Sequence, residues 1–339
     1  IRETCEKYLF GTIGPTRLRA DIANQVGVCV VMGNIRRSAE ILIGSIDDPE
    51  FLSLKDYGKN PDRKEWGWMS NNSPRLETHE HYKRQPEIAN GVRLNGEPGF
   101  FNLVATQKFG RFGREMPDKA TGLNPCAEIP LEHREVCNLA EVFPTRCQSD
   151  SDIQRAMRLA TLYTSTVSLL PTHSRSTNNV IARNRRIGVS VSGVAEWVHD
   201  IGAAAMTRSL RDGYNVIRAE NKRLASEAGV PESIRVTTVK PSGSISQLAG
   251  CSSGIHSPTF KYAIRRMRVP AKSAVAKALA EAGYQHEPDV NEPGVTEVIE
   301  FPIDQGKAPP AHEVSVWEQA LMACTFQREW ADNSVSVTL

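Results

Sequence analysis

The spacing of apolar residues divides the chain into alternating helical and extended segments. Across residues 17–33, Leu18, Ile22, Val26 and Val30 recur at helical spacing, and Gly33-Asn34 supplies a stop and a turn. Residues 38–43 read as a strand. Residues 47–98 are rich in Asp, Asn, Pro and Gly and read as loop, broken by a short helix near 51–57. Asn95-Gly-Glu-Pro-Gly99 is a turn by its chemistry, and 100–104 reads as a short strand after it. Further on, Ile153, Met157, Leu159, Ala160, Tyr163 and Val167 predict an amphipathic helix over 152–170. Strands are expected at 186–191, 236–239 and 298–301. Helices are expected at 195–201, 210–228, 274–282 and 314–330. Strands alternating with helices predict an α/β layer or barrel, with reactive residues on loops at the strand ends.

Composition narrows the class. The chain has 339 residues, of which 40% are hydrophobic and 24% charged, so it is neither disordered nor fibrous. Lys and Arg number 41 against 39 Asp and Glu, a net charge of +2. Such a balance gives no electrostatic reason to expect a nucleic-acid or membrane-surface partner. The seven cysteines, at 5, 29, 126, 137, 147, 251 and 324, include no CxxC pair, so neither a disulfide framework nor a metal site is expected. With no signal peptide or long apolar run, the expected compartment is the cytoplasm. The chain starts at Ile1 and stops in a strand-like run, so it is expected to be part of a longer protein, all of it within one domain.

Three segments carry candidate chemistry. In Leu123-Asn-Pro-Cys-Ala-Glu-Ile129, an extended loop would place Asn124, Cys126 and Glu128 on one face, an amide, a sulfur and a potential base together. Cys137 lies eleven residues on, far enough for the chain to turn back. Two packing cysteines are the competing reading, and the polar neighbours of Cys126 favour the site. In Lys240-Pro-Ser-Gly-Ser-Ile-Ser246 a strand enters a Ser- and Gly-rich turn before a helix, which suits either an anion site or a plain helix cap. In Gly33-Asn-Ile-Arg-Arg-Ser-Ala-Glu40, two arginines suit either a base or phosphate contact or a solvated pair. The clusters Asn184-Arg-Arg186 and Arg265-Arg-Met-Arg268 read as solvated faces.

Together with Ser70-Asn-Asn-Ser73, Asn95-Gly-Glu-Pro-Gly99, Asn184-Arg-Arg-Ile-Gly-Val-Ser190, Thr238-Val-Lys-Pro-Ser-Gly-Ser244 and Trp330-Ala-Asp-Asn-Ser-Val-Ser336, these segments are collinear with one family. The run 124–129 followed by 137–144 resembles the catalytic loop of ribonucleotide reductases. The details resemble the adenosylcobalamin-dependent (class II) branch, in particular its ribonucleoside-triphosphate reductase type. The resemblance implies a ten-stranded α/β barrel with a central finger loop carrying a radical cysteine, of which this chain is a part. It implies that Cys126 is the thiyl radical, that Glu128 takes the 3′-OH proton and that Asn124 holds the ribose hydroxyls. Cys137 becomes one of two reducing thiols. Pro241, Ser242, Gly243, Ser244, Ile245 and Ser246 bind substrate phosphates. Gly33, Asn34, Arg36 and Arg37 lie in the loop through which a deoxynucleotide effector sets base specificity.

The implied cofactor is adenosylcobalamin, and the implied partners are a ribonucleotide and a dithiol reductant such as thioredoxin. The second redox cysteine falls upstream of the region covered, and the C-terminal cysteine pair falls beyond it. A ribonucleoside-diphosphate reductase of the same radical superfamily and an inactive nucleotide-binding fragment are the alternatives.

Overall fold

A computed structural model describes residues 1–32, 38–290 and 293–338. Parallel strands form two groups. In the first, β1 (Glu40–Ser45) pairs with β2 (Ser70–Leu76), and β2 pairs with β3 (Phe101–Asn102). A short antiparallel hairpin follows, β4 (Gly122–Leu123) against β5 (Pro130–Leu131). The second group starts with β6 (Leu139–Val142), which pairs with β7 (Gly188–Val191). Single parallel bridges, Val189 to Thr237 and Val239 to Val335, extend it through 236–239 to 334–336. A separate antiparallel sheet holds β8 (Tyr262–Pro270), β9 (His286–Pro288) and β10 (Thr296–Asp304), with β10 in the centre.

Every position of β7 is buried, as a central parallel strand covered on both faces requires. Helices Asp150–Val167, Ala203–Ala228 and Val316–Glu329 supply the cover. Met157, Leu210, Tyr214, Phe326 and Trp330 pack with Val142, Val189, Val191 and Val236 in one cluster. Burying each such side chain contributes roughly 1.5–3 kcal/mol. Local chemistry sets the helix starts. The Ser149 hydroxyl accepts from Asp152 N at 3.2 Å, and Ser315 with Glu318 forms a reciprocal capping box.

The long helices and β10 lie where the periodicity predicts them, within a few residues except that the helix expected from 210 begins at Ala203. Four expectations need correction. The stretch 47–98 is not mainly loop: it contains β2 and the helix Gln85–Asn95. β2 reads Ser-Asn-Asn-Ser-Pro-Arg-Leu, a polar run with no alternating pattern, in which all but Asn71 and Arg75 are buried. The strand expected at 100–104 stops after Phe101–Asn102, where the Asn102 side chain caps the helix Leu103–Lys108. Residues 236–239 make bridges and not a continuous ladder. β8 carries the Arg265–Arg268 cluster, which is exposed as expected but lies on a strand that the charge run concealed.

Candidate active site

The hairpin β4–β5 is a finger whose tip holds the candidate residues. The tip is a tight turn and not the extended loop expected from sequence. Ala127 N donates to Asn124 O at 2.8 Å, and Ala127 takes a left-handed backbone with φ of 63°. Asn124 O and Oδ1 both serve the turn, the latter accepting from Ile129 N at 2.8 Å. Asn124 and Glu128 are therefore buried while Cys126 stands exposed at the tip. The grouping of the three residues holds, but a turn creates it and strand alternation does not.

Both strand groups hold this tip. From the first, Asn71 Nδ2 on β2 donates to Pro125 O at 2.9 Å. From the second, Thr238 Oγ1 donates to Glu128 O at 2.6 Å, and Ser334 N donates to the same oxygen at 3.0 Å. Trp330 Nε1 in turn donates to Thr238 O at 2.9 Å. Ile129 lies over Gly188 of β7, so closely that a Cβ at 188 would stand 2.8 Å from Ile129 Cδ1 and 2.7 Å from Leu139 Cδ2. A side chain at 188 would therefore force its neighbours, Ile129 of the finger among them, to shift.

The base of the finger is fixed by charge. Asp118, just before β4, accepts from both terminal nitrogens of Arg186 at 2.8 and 2.9 Å and from Arg235 Nε at 2.7 Å. Arg186 Nε donates to Glu135 Oε1, just after β5, at 3.0 Å. All four side chains are buried. The expectation of a solvated face at Asn184-Arg-Arg186 is thus wrong for Asn184 and Arg186, which are buried against these carboxylates. A charge run looks the same in sequence whether water or a buried carboxylate neutralises it.

Electrostatics at the tip favour protonated thiols and a poised base. Burial pushes the Glu128 carboxyl above its ordinary range, while its hydrogen bonds, the Asn124 side chain among them, and the charge of Lys240 pull against that rise. Its Oε2 has no hydrogen-bond partner. Burial, then the Glu128 charge, raises the Cys126 thiol, and Lys240 opposes both. Cys137 lies on the chain returning from β5 to β6. Cys137 is exposed as a residue, but shielding of its sulfur and the Glu128 charge raise its thiol too, with a smaller contribution from Cys126. The structure therefore brings Asn124, Cys126, Glu128 and Cys137 into one electrostatic neighbourhood.

The segment 240–246 leaves the same neighbourhood. Lys240 N is held by Ser190 Oγ at 3.0 Å, and Lys240 Nζ lies 3.2 Å from Glu141 Oε2. The Ser190 and Ser192 hydroxyls donate to Glu141 Oε1 at 3.2 and 2.5 Å. Beyond Lys240 the chain turns at Ser242, with φ of 55°, into the five-residue helix Ile245–Ala249. The Ser242 hydroxyl is buried without a partner. Ser244 and Ile245 are exposed, and Ser246 Oγ is taken up by Ser253 Oγ at 3.1 Å. Only some of the three hydroxyls are thus free for an anion. Gly33, Asn34, Arg36 and Arg37 lie outside the described residues.

Lys240, Glu141, Thr238 and Asn71 were not singled out from sequence. All four stand inside segments that match the family, and neither composition nor spacing distinguishes them from their neighbours. Among the described residues, no group of His, Cys, Asp and Glu is placed to hold a metal ion. No helix among them is long and apolar enough to cross a membrane.

Comparison with known proteins agrees with this geometry. A scan against protein-family models finds no match. An adenosylcobalamin-dependent ribonucleoside-triphosphate reductase from Euglena gracilis is 42% identical over 324 residues, which cover 94% of this chain and 44% of that protein. A probable one from Dictyostelium discoideum is 37% identical over the whole chain and 45% of its own length. That of Lactobacillus leichmannii is 34% identical over 94% of the chain and 47% of its length. The crystal structure of a B12-dependent (class II) ribonucleotide reductase matches with a TM-score of 0.81 and 31% identity, covering 95% of this chain and 48% of that one. The fold is accordingly that of the class II α/β barrel, in part. The chain spans about half the length of the relatives it matches, and over that span it belongs to the adenosylcobalamin-dependent ribonucleotide reductase family.

Proposed function

We propose that this chain carries the radical and reducing cysteines of an enzyme that converts ribonucleoside triphosphates to 2′-deoxyribonucleotides with adenosylcobalamin. The observation that carries the reading is the finger tip. It holds a buried, partly unsatisfied carboxyl, Glu128, in electrostatic contact with two thiols, Cys126 and Cys137. The named relatives, triphosphate reductases, favour triphosphates over diphosphates.

The residues suit the roles. Cys126 is exposed at the tip, which fits a cofactor that must reach its sulfur. When bound, adenosylcobalamin supplies the radical through homolysis of its cobalt–carbon bond. A thiol kept protonated retains the S–H hydrogen that such a radical would take, and partial shielding of the sulfur from water, with the Glu128 charge, favours that form although the residue is exposed. The Cys126 thiyl then abstracts the ribose 3′-hydrogen. Glu128, whose carboxylate is made a stronger base by burial, is placed to accept the 3′-OH proton when ionised and to return it. Asn124 shapes the turn and orients the ribose hydroxyls. Cys137 supplies reducing equivalents as the 2′-hydroxyl leaves as water, and forms a disulfide with its partner thiol.

Pro241, Ser242, Gly243, Ser244, Ile245 and Ser246 hold the substrate phosphates, with the unpartnered Ser242 hydroxyl as a donor. A deoxynucleotide effector acts through the loop containing Gly33, Asn34, Arg36 and Arg37. Thioredoxin or a similar dithiol restores the cysteines in the cytoplasm. An inactive nucleotide-binding module would have no use for Cys126, Glu128 and Cys137 together.

The test is deoxynucleotide formation by the full-length protein with adenosylcobalamin and dithiothreitol, offered ribonucleoside tri- and diphosphates separately. Product from triphosphates is expected. No product from either substrate would overturn the reading.

A further inference from the structure

The antiparallel sheet divides the arginines of β8 between its two faces. Arg266 lies opposite Glu300 of β10 and Arg265 opposite Phe301, and successive residues of a strand point to opposite sides. On one face Arg266 pairs with Glu300 at 3.2 Å and with Glu287 of β9, and Arg268 pairs with Asp289 at 2.5 Å. On the other face Arg265 makes no ion pair or hydrogen bond among the described residues. All three side chains are exposed and look alike in sequence, yet two are neutralised and one is not.

The face that carries Arg265 borders the serine segment. Arg265, Met267 and Phe301 line a cavity of about 390 Å³ together with Ser244 and Gln247. The Ser244 hydroxyl does not cap the helix that follows it, and the Gln247 amide has no partner among the described residues. Two other basic side chains at the segment are already engaged. The Lys240 ammonium lies 3.2 Å from Glu141, and Arg146 donates to the Ala249 and Gly250 carbonyls at 2.5 and 2.7 Å. Asp304 also lines the cavity, where it accepts from Gly306 N at 3.0 Å and makes no ion pair with Arg265. A hydroxyl, an amide and an unpaired guanidinium therefore share one space beside 241–246.

We infer that Arg265 binds the terminal phosphate of a ribonucleoside triphosphate whose inner phosphates lie on 241–246, and so sets the preference for tri- over diphosphates. This deepens the functional reading above and rests on its assignment of the phosphates to that segment. The segment offers hydroxyls and main-chain N–H groups, which suit a phosphate of any chain length. The third phosphate adds negative charge, and a cation is what distinguishes it. A guanidinium meets two phosphate oxygens with parallel N–H donors and stays charged at every working pH. Because Arg265 stands on a different element from the serines, its contact is open to the longer phosphate chain and not to the shorter one. Ser244 and Gln247 complete the donor set around it.

The experiment measures equilibrium binding of cytidine triphosphate and cytidine diphosphate to the full-length protein without cofactor. Arg265→Gln is expected to weaken triphosphate binding by about tenfold or more and to leave diphosphate binding within about twofold of wild type. Arg265→Lys keeps the charge without the paired donors and should fall between the two. Arg266→Gln removes a neighbouring positive charge from the opposite face and should leave both affinities unchanged. The Arg265 side chain is exposed, so its variants should fold, and urea unfolding on the same preparations checks this. Should Arg265→Gln unfold, Arg265→Lys carries the test. Unchanged triphosphate affinity in the folded variants would overturn the inference, as would equal losses for both nucleotides or an equal loss in Arg266→Gln. Binding is read without turnover. A flat result therefore removes Arg265 from its role and leaves the reductase reading standing, whereas absent deoxynucleotide formation removes that reading and leaves the phosphate contact measurable.

Discussion

The Thr238 hydroxyl donates to the Glu128 carbonyl at 2.6 Å, so a barrel strand grips the backbone of the residue proposed as the base. The side chain of Glu128 is left free of that bond. Its position is fixed through the main chain while its carboxyl stays available for proton transfer. Asn71 does the same for Pro125 from the opposite strand group. A reactive tip held by its backbone from both sides keeps its geometry without using up its chemistry.

Gly188→Ala tests that arrangement. The added methyl would stand 2.7–2.9 Å from the Leu139, Ile129 and Thr238 side chains, so at least one of them must shift. Overpacking of this kind typically costs about 1–3 kcal/mol. Because Ile129 belongs to the finger, we expect activity of the full-length protein to fall much further than stability does. Denaturant unfolding and turnover, measured on the same preparations, check this. Unaltered turnover in a destabilised variant would contradict it.

Asp118→Asn removes the carboxylate that two buried arginines share. Breaking a buried ion pair from one side costs about 3–5 kcal/mol. The wild type also acquires a pH dependence here. Burial alone would raise the Asp118 carboxyl, but its bonds with Arg186 and the Arg235 charge hold it below the ordinary range. Its contribution to stability is therefore complete above the unfolded value of about 4 and lost as pH falls through the folded value. We expect the stability difference between wild type and Asp118→Asn to shrink on acidification below that point, measured by urea unfolding at several pH values.

Much of this was legible in the sequence, and the failures have a common cause. The helices 150–167 and 203–228 bury one stripe each, and periodicity finds them. Asn124, Cys126, Glu128 and Cys137 stand out as candidates because their residue types are unusual neighbours. Arg186, Asp118 and Glu135 were missed as site supports because each is polar and buried by a partner distant in sequence; the exposed Asn71 was missed because its partner Pro125 is likewise distant. Asp118 and Arg186 are 68 positions apart. No local pattern records such a pairing, and β2, a strand of mostly buried polar residues, was hidden for a related reason.

Glu128→Gln is expected to stabilise the chain at neutral pH. A carboxyl raised by burial contributes its stability below the unfolded value of about 4.3 and loses it as pH rises through the folded value. The uncharged amide avoids that loss. The variant should be more stable than wild type by on the order of 1–2 kcal/mol at pH 8, with the difference vanishing toward pH 4. Turnover should be abolished. Unfolding curves at the two pH values decide, and a variant less stable than wild type at pH 8 would count against a raised Glu128.

Gly243→Val separates folding from phosphate binding. A Cβ at 243 meets nothing within 4 Å, and the backbone there is not left-handed. The fold should therefore accept valine with little change in stability. If 241–246 cradles phosphates, the new side chain occupies the ligand's space, and substrate affinity should drop at least about tenfold. Equilibrium binding of a ribonucleoside triphosphate to the full-length variant measures it, and unchanged affinity would remove the phosphate assignment.

The division of labour between Cys126 and Cys137 is the core of the account, and free base released per enzyme measures it. The full-length Cys126→Ser and Cys137→Ser proteins are each incubated with adenosylcobalamin and a ribonucleoside triphosphate. Without Cys126 no hydrogen leaves the 3′-carbon, so the substrate should be recovered intact. Without Cys137 the 3′-hydrogen is still taken and water still leaves the 2′-carbon, but the sugar radical lacks its reductant and decomposes. The account predicts base release from Cys137→Ser and none from Cys126→Ser. Negligible release from both would contradict it and return Cys137 to the status of a structural cysteine.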